Sequence, residues 1–404
     1  MKTDKTHTRS SLLLLLCIAI ITMLVASGCQ KKNELDDNAQ QCKLLKRSTG
    51  NIDYLLSNAA LYNCPDVVKS LIDSGANVNN WSTQGFPLLI AILRDNKEVE
   101  KILLNAGADV NAVVPPFEKA SGLTSLMIVA GTNMFMVRLY SFKNYDDFDE
   151  NDMRLTLLNA AKRLIELGAN VNAEAPNGYT PLILSIAERN CDIANLLIEN
   201  DANPNVTDPN GTPALILTIS GSCSDLAPAL IKAGADVNVK DESGSTPLIL
   251  AIKNHRYNTS AATNDLISAL LNAGANVNAK DGNGESVLSL ACKQNQPALV
   301  NRMLDANADP NTADINGRTP LMIASENGKT DIMRTLIERG ANINATDING
   351  NTALMLAVGS AQEESVRLLI DSGADVNIKN KAGRSALHHP RLTILDQLTA
   401  AGAK

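Results

Sequence analysis

The chain has 404 residues, a length at which a single compact core usually divides or grows in one dimension. Hydrophobic residues make up 45 % and aromatics 3 %, which excludes a disordered chain and calls for a core of Leu, Ile, Val and Ala. The net charge of −7 leaves no cationic excess for a phosphate backbone, and four His argue against a His-rich metal site, so nucleic acid and metal are set aside as ligands.

At the N-terminus, Lys2, Lys5 and Arg9 precede an apolar run from Leu12 to Ala26. The run has the length of a secretory h-region and falls short of the ~20 residues that span a bilayer. Ala26-Ser27-Gly28-Cys29 follows. This order of charged, apolar and small segments resembles a bacterial lipoprotein signal peptide over residues 1–28. The resemblance implies cleavage before Cys29 and a diacylglyceryl group on its thiol. The mature chain Cys29–Lys404 is then more negative, having lost three cations and one anion. Gln30, by likeness to enteric lipoproteins, implies the outer membrane, with the protein facing the periplasm. Residues 29–41 are polar and read as a tether, which as a flexible coil would span roughly 20 Å.

From residue 42 to 404 the chain repeats itself. Gly-Ala-Asx-Val-Asn or a close variant starts at Gly75, Gly107, Gly168, Asp201, Gly234, Gly274, Asn307, Gly340 and Gly373, with a truncated echo at Gly402. The prevailing spacing is 33 residues. A second motif keeps phase with it: Gly178-Tyr-Thr-Pro-Leu182, Gly244-Ser-Thr-Pro-Leu248 and Gly317-Arg-Thr-Pro-Leu321, with weaker copies at Gly284, Gly350 and Gly383. Thr319 is placed to cap a helix whose first turn holds Pro320, and Leu321 and Ala324 share a face. Asp331 to Ile337 makes a second short amphipathic helix, ended by Gly340 in the left-handed conformation. Asn tolerates that conformation at position 307 and Asp201 tolerates it less, which marks a softer spot. Asn316-Gly317 and Asn349-Gly350 are hairpin-turn dipeptides.

Two motifs in fixed phase over so many copies resemble the ankyrin-repeat family. The resemblance implies an all-α solenoid of about ten helix-turn-helix repeats with hairpin turns, atypical at both ends. It also implies no catalysis, no cofactor, and a protein partner bound along the concave surface of turns and first helices. The family's His after Thr-Pro-Leu is replaced by Ile183, Ile249 and Met322 and survives as His388, which puts local rigidity in question.

Two spacings are longer. An insertion of 28 residues falls between the helices of the third repeat, near residues 132–158, and one of seven lies near 254–263. Both occupy the same kind of turn. The first carries Phe135, Tyr140, Phe142, Tyr145 and Phe148, five of the chain's twelve aromatics, followed by the acidic run 146–152. Aromatic anchors with a polar rim make binding hot spots, so these five are candidate partner-binding residues. The alternative is an extra helix packing its aromatics back on the stack. The acidic run lacks the spacing of a calcium loop.

Of seven Cys, Cys17 leaves with the signal and Cys29 is the lipid site. Cys292 reads as core. Cys42–Cys64 and Cys191–Cys223 are candidate disulfides in an oxidising compartment. The second is open to the objection that packed helices lie 8–10 Å apart while a disulfide needs Cα atoms within about 7 Å. There is no CxxC, phosphate loop, G-x-S-x-G or H-E-x-x-H, and His388-His389 reads as structural. The expected function is a lipid-anchored envelope protein that binds a basic partner, such as an immunity-type inhibitor of a toxin or lipase effector. The alternative is a constitutive scaffold or stress-protection factor for an envelope enzyme.

Overall fold

A computed structural model describes residues 34–82, 84–116, 122–132, 150–221, 223–255, 260–388 and 392–403. The chain divides into two compact units, Met1–Gly234 and Ala235–Lys404. Among the described residues the regular elements are helices, and β-pairing is limited to isolated bridges such as Thr207–Pro213 and Thr346–Thr352.

The first unit opens with α1 (Glu34–Leu45). Residues 34–41, read as part of a tether, are therefore helical. Helix pairs follow: α2 (Ile52–Leu61) with α3 (Pro65–Asp73), α4 (Pro87–Leu93) with α5 (Lys97–Asn105), α6 (Ser125–Ala130) with α7 (Glu150–Glu166), and α8 (Pro181–Ala187) with α9 (Cys191–Glu199). The fifth pair is α10 (Ala214–Ser220), a 3-10 turn (Ser224–Leu226) and α11 (Ala227–Lys232).

In the second unit the pairs are α12 (Pro247–His255) with α13 (Ala261–Asn272), α14 (Val287–Lys293) with α15 (Pro297–Asp305), α16 (Pro320–Glu326) with α17 (Thr330–Glu338), and α18 (Ala353–Gly359) with α19 (Glu363–Asp371). Helix α20 (Leu392–Ala400) packs on α19. The seven-residue insertion lengthens α12 and α13 at the ends that face each other. In the tenth repeat, residues 386–388 form a turn where a first helix was expected.

The first helices are short because they are core on every side. In α16 all residues from Pro320 to Ser325 are buried. Their N-termini are closed by side chains: Thr124, Thr180, Thr319 and Thr352 each accept the backbone N–H three residues on. Ile183, Ile249 and Met322, which stand where the family His is missing, are fully buried, and the caps beside them form without it. The second helices are amphipathic. In α17, Ile332, Met333 and Leu336 face inward while Arg334 and Glu338 face solvent. After α9 and α15, Asp201 and Asn307 take the left-handed turn with φ of 63° and 64°.

The Gly-Ala-Asx-Val-Asn motif is a hydrogen-bonding device. Its last Asn donates through Nδ2 to the carbonyl that opens the next copy and accepts through Oδ1 the Asx amide of that copy. Asn172 donates to Asp201 O (3.0 Å) and accepts from Asn203 N (2.7 Å); Asn278 and Asn311 repeat the pattern in the second unit. Asn111 spans the 28-residue insertion in the same way, donating to Gly168 O (3.2 Å) and accepting from Asn170 N (2.7 Å). The ladder closes over the insertion as though it were absent.

In the second unit the hairpin tips also join. Ile315 N–H donates to Asn283 O (3.4 Å), Ile348 N–H to Asn316 O (3.0 Å) and Lys381 N–H to Asn349 O (2.9 Å). Gly284 takes φ +72°, and a Cβ there would sit 2.7 Å from Ile315 N. Gly178, at φ +82°, has open space around the same position. Gly284→Ala is expected to cost about 2–3 kcal/mol from the left-handed penalty plus backbone displacement, and Gly178→Ala about 1 kcal/mol. Urea unfolding of the two variants, giving equal losses, would contradict the tip-to-tip contact.

Candidate functional site

The lipid-site candidate Cys29 and the aromatics Phe135, Tyr140, Phe142, Tyr145 and Phe148 lie outside the described residues. The flanks of the large insertion are described. It leaves after Thr132, which is buried and bonds back to Ile128 O (2.8 Å), and returns in α7. Helix α7 has 17 residues against nine in α5 and α9. Its first two turns, assigned from sequence to the insertion, carry Met153 and Leu157 into the core. The dispensable part is thus shorter than 132–158.

Helix α7 is also fixed to the preceding repeat by charge. Glu100 on α5 is buried and accepts from Arg163 Nε (2.7 Å) and Nη2 (2.6 Å), while Arg163 Nη1 bonds Glu166 (3.1 Å). A buried carboxylate needs such a partner, since leaving it unpaired costs several kcal/mol.

The four candidate disulfide cysteines are brought together in the two pairs named above. Cys42 and Cys64 are bonded with Cα atoms 5.6 Å apart, as are Cys191 and Cys223. The helix-spacing objection does not apply to the second pair. Cys191 is the first residue of α9 and Cys223 precedes the 3-10 turn, so the bond joins two chain corners and not two helix axes. Cys64 and Cys223 share a register position, the residue just before a second helix. The same position holds Asn96 and Asn190 elsewhere in the first unit. Asn96 Nδ2 reaches back to Ala60 O (2.8 Å), and Asn190 Nδ2 to Ala130 O (2.8 Å) and Thr132 O (2.9 Å). All four side chains are buried. The position is a staple, made by an amide in two repeats and by sulfur in two others. Cys292 is buried in α14, and burial pushes its thiol up to about 12, so it stays an inert core residue.

The surface beside the first helices differs between the two units. In the first, Trp81 and Phe86 meet edge to face with centroids 4.9 Å apart. Tyr179 is half-buried, and burial, then the negative charges of Asp208 and Glu188, raise its phenol above the ordinary value. In the second, hairpin residues pair with the end of the first helix eight positions on: Lys253 bonds Ser245 (3.0 Å) and Asp281 (2.9 Å), Lys293 bonds Glu285, and Arg318 bonds Glu326. Above this row, Ile315 and Ile348 stand exposed on adjacent tips, 65 % and 51 % accessible. The twice-repeated Asp-Ile-Asn-Gly was their signal in the sequence.

Burial pushes the Asp281 carboxyl up, but the Lys253 ammonium and the amides of Glu285 and Asn283 outweigh it and hold the group below the usual carboxylate range. A depressed carboxylate contributes stability above its unfolded value and loses it as pH falls through the folded one. The second unit should therefore weaken as pH drops below about 4. Asp281→Asn should reduce that acid dependence, as read by urea midpoints at pH 6 and pH 3. An unchanged dependence would deny the Lys253 contact its role.

Among the described residues no three His, Cys, Asp or Glu side chains gather as a metal site, and no helix is long and apolar enough to cross a membrane. His388 donates its backbone N–H to Ser385 O (3.1 Å), and His389 lies outside the described residues. What the arrangement offers is recognition: exposed apolar tips, half-buried aromatics and self-paired charges.

A search among curated proteins returned no match. Family profiles do match. One for "Ankyrin repeats (3 copies)" covers residues 194–281 and 259–347, one for "Ankyrin repeat" covers 86–113 and 349–381, and one for "Ankyrin repeats (many copies)" covers 164–217. Together they span more than half of the chain, and the matched stretches fall on the hairpins and helix pairs described above. The chain belongs to the ankyrin-repeat family.

Proposed function

We propose that this is a lipid-anchored protein of the bacterial envelope, held by Cys29 at the outer membrane and facing the periplasm, that binds and neutralises a toxin or lipase effector. The family supports a protein partner. The observation that carries the reading further is the ladder closing over the insertion, from Asn111 to Gly168 and Asn170. The motif ladder runs directly from Asn111 to Gly168 and Asn170, which supports reading the five aromatics and the acidic run as partner contacts and not as packing. The acidity favours a basic partner through electrostatic steering. Two disulfides support an oxidising compartment and agree with the leader sequence.

The test is a crosslinked pull-down from solubilised envelopes. The wild-type chain is run beside a variant with Phe135, Tyr140, Phe142, Tyr145 and Phe148 changed to Ala. A secreted toxin captured by the wild type and lost from the variant supports the proposal. A resident envelope enzyme captured equally by both makes the protein a scaffold and returns the aromatics to packing.

A further inference from the structure

The first and last described helices are held in different ways. Helix α20 seats Ile394 and Leu398 fully in the core. Helix α1 buries no side chain over residues 38–45: Asn38, Gln41, Cys42 and Leu45 are half-buried, and Ala39, Gln40, Lys43 and Leu44 are exposed. Residues 46–51, which lead to α2, are all exposed. Their backbone bonds are local, from Lys46 N–H to Cys42 O, Arg47 N–H to Leu44 O and Ser48 N–H to Leu45 O. Among the described residues the polar link from this stretch to the repeats is Lys46–Asp66, 3.8 Å apart with both side chains in solvent. An exposed pair of that kind contributes little, and a helix of 12 residues is marginal on its own. What keeps α1 in place is the Cys42–Cys64 bond.

The Cys191–Cys223 bond joins elements that are docked without it. Cys191 begins α9, which buries Ile193, Ala194, Leu197 and Ile198, and Cys223 precedes Leu226, Ala227 and Leu230, all buried. Breaking that bond leaves two thiols still held side by side by packing. Breaking Cys42–Cys64 leaves Cys64 in its buried site and lets Cys42 move off with α1. The tendency of a pair to close again follows the effective concentration of one thiol at the other, so the bond of α1 is the easier one to reduce. Its open side is Cys42, which is half-buried, whereas Cys64 is 2 % accessible.

We propose that Cys42–Cys64 is a redox latch, which opens in advance of Cys191–Cys223 and releases residues 34–51 from the first repeat. The reductant is a dithiol. One of its thiolates attacks Cys42 Sγ, the protein S–S bond breaks, and Cys64 leaves as a thiolate. The second sulfur of the dithiol then displaces Cys42 and closes a cyclic disulfide. Two electrons pass to the protein, and the two protons of the dithiol end on Cys42 and Cys64. The released stretch, 18 residues from 34 to 51, spans roughly 25 Å as a flexible coil. On the anchored reading it lengthens the reach of the repeats from the membrane, and in this consequence alone the proposal rests on that reading.

The experiment titrates the full-length chain with mixtures of reduced and oxidised dithiothreitol. Acid quenching, alkylation in denaturant and peptide mass read each cysteine pair, and amide exchange over residues 38–48 is followed across the same mixtures. Cys42 and Cys64 should be half-reduced at a dithiol-to-disulfide ratio at least about tenfold below that needed for Cys191 and Cys223. Exchange over 38–48 should rise at least about tenfold with the same midpoint, while α2 and α3 stay protected. Cys42→Ala, which opens the latch without reductant and keeps Cys64 in its buried site, should show the fast exchange throughout. Joint opening of the two bonds, or the reverse order, overturns the proposal, and so does an α1 that keeps its protection in Cys42→Ala. Loss of protection in α2 and α3 together with α1 also overturns it, by making the bond a support of the first repeat. Intact mass reads acylation at Cys29 separately, so the latch and the anchored reading stand or fall apart.

Discussion

A chain with Cys191→Ala and Cys223→Ala is expected to lose about 3–4 kcal/mol of stability in its first unit, because the bond closes a loop of 32 residues. The Cys42–Cys64 pair closes 22 residues and should cost about 3 kcal/mol. Trp81 is the chain's single Trp and lies in the first unit, so its fluorescence during urea unfolding reads this loss directly. The second unit holds no disulfide among its described residues, and its amide exchange should not change under reductant. In a stack whose stability is a sum of neighbour contacts, such a local loss stays local. A unit whose midpoint is indifferent to reductant would mean that the buried register position, and not the sulfur bond, supplies the junction. Cys223→Asn, which restores the side chain used at Asn96 and Asn190, would then recover most of the stability lost in the double alanine variant.

Leu157→Ala should destabilise the first unit by about 2–5 kcal/mol, the usual cost of emptying a fully buried leucine site. Leu155→Ala, two residues away and 53 % exposed, should change it by less than about 0.5 kcal/mol. The contrast decides where the insertion ends. If both substitutions were mild, the first turns of α7 would belong with the inserted segment, and deleting 132–158 would leave a folded chain. With the expected contrast, that deletion removes core residues and its failure to fold says nothing of binding. Thermal unfolding of the two variants is sufficient.

What could be read from the sequence was whatever repeats within a few residues. Thr319-Pro320-Leu321 and Gly340 carry their own backbone physics, so the helix starts, the left-handed ends and the 33-residue period were visible without coordinates. Contacts between distant residues were not. Glu100 and Arg163 are 63 positions apart, and nothing local marks either as one end of a buried pair. The ladder role of the last Asn in each motif was not visible either, since it needs the neighbouring copy in place. Where the insertion ends was not legible for a related reason. A spacing counts how many residues are extra without telling which of them a lengthened helix absorbs, as α7, α12 and α13 do. Residues 34–41, read as part of a tether, are helical and not coil, since polarity alone does not separate a coil from a solvated helix. The five aromatics at 135–148 stay where the sequence left them, outside the described residues.

The hairpin tips have a consequence for how the protein ages. Asn-Gly is the dipeptide most prone to deamidation, because the glycine nitrogen attacks the asparagine side chain with little steric hindrance. The chain has five such pairs at its tips, beginning at Asn177, Asn210, Asn283, Asn316 and Asn349. In every one the attacking nitrogen is engaged: Gly178 N donates to Ala175 O (2.8 Å), Gly211 N to Asp208 O (2.8 Å), and Gly284, Gly317 and Gly350 N to the Asp three residues before (2.9 Å). The bonds that shape the turns also block the cyclisation that would destroy them. Chemical lifetime is thereby tied to folding. A tip that opens becomes a clock, and the succinimide and isoaspartate accumulated at each Asn record how long that repeat has spent unfolded.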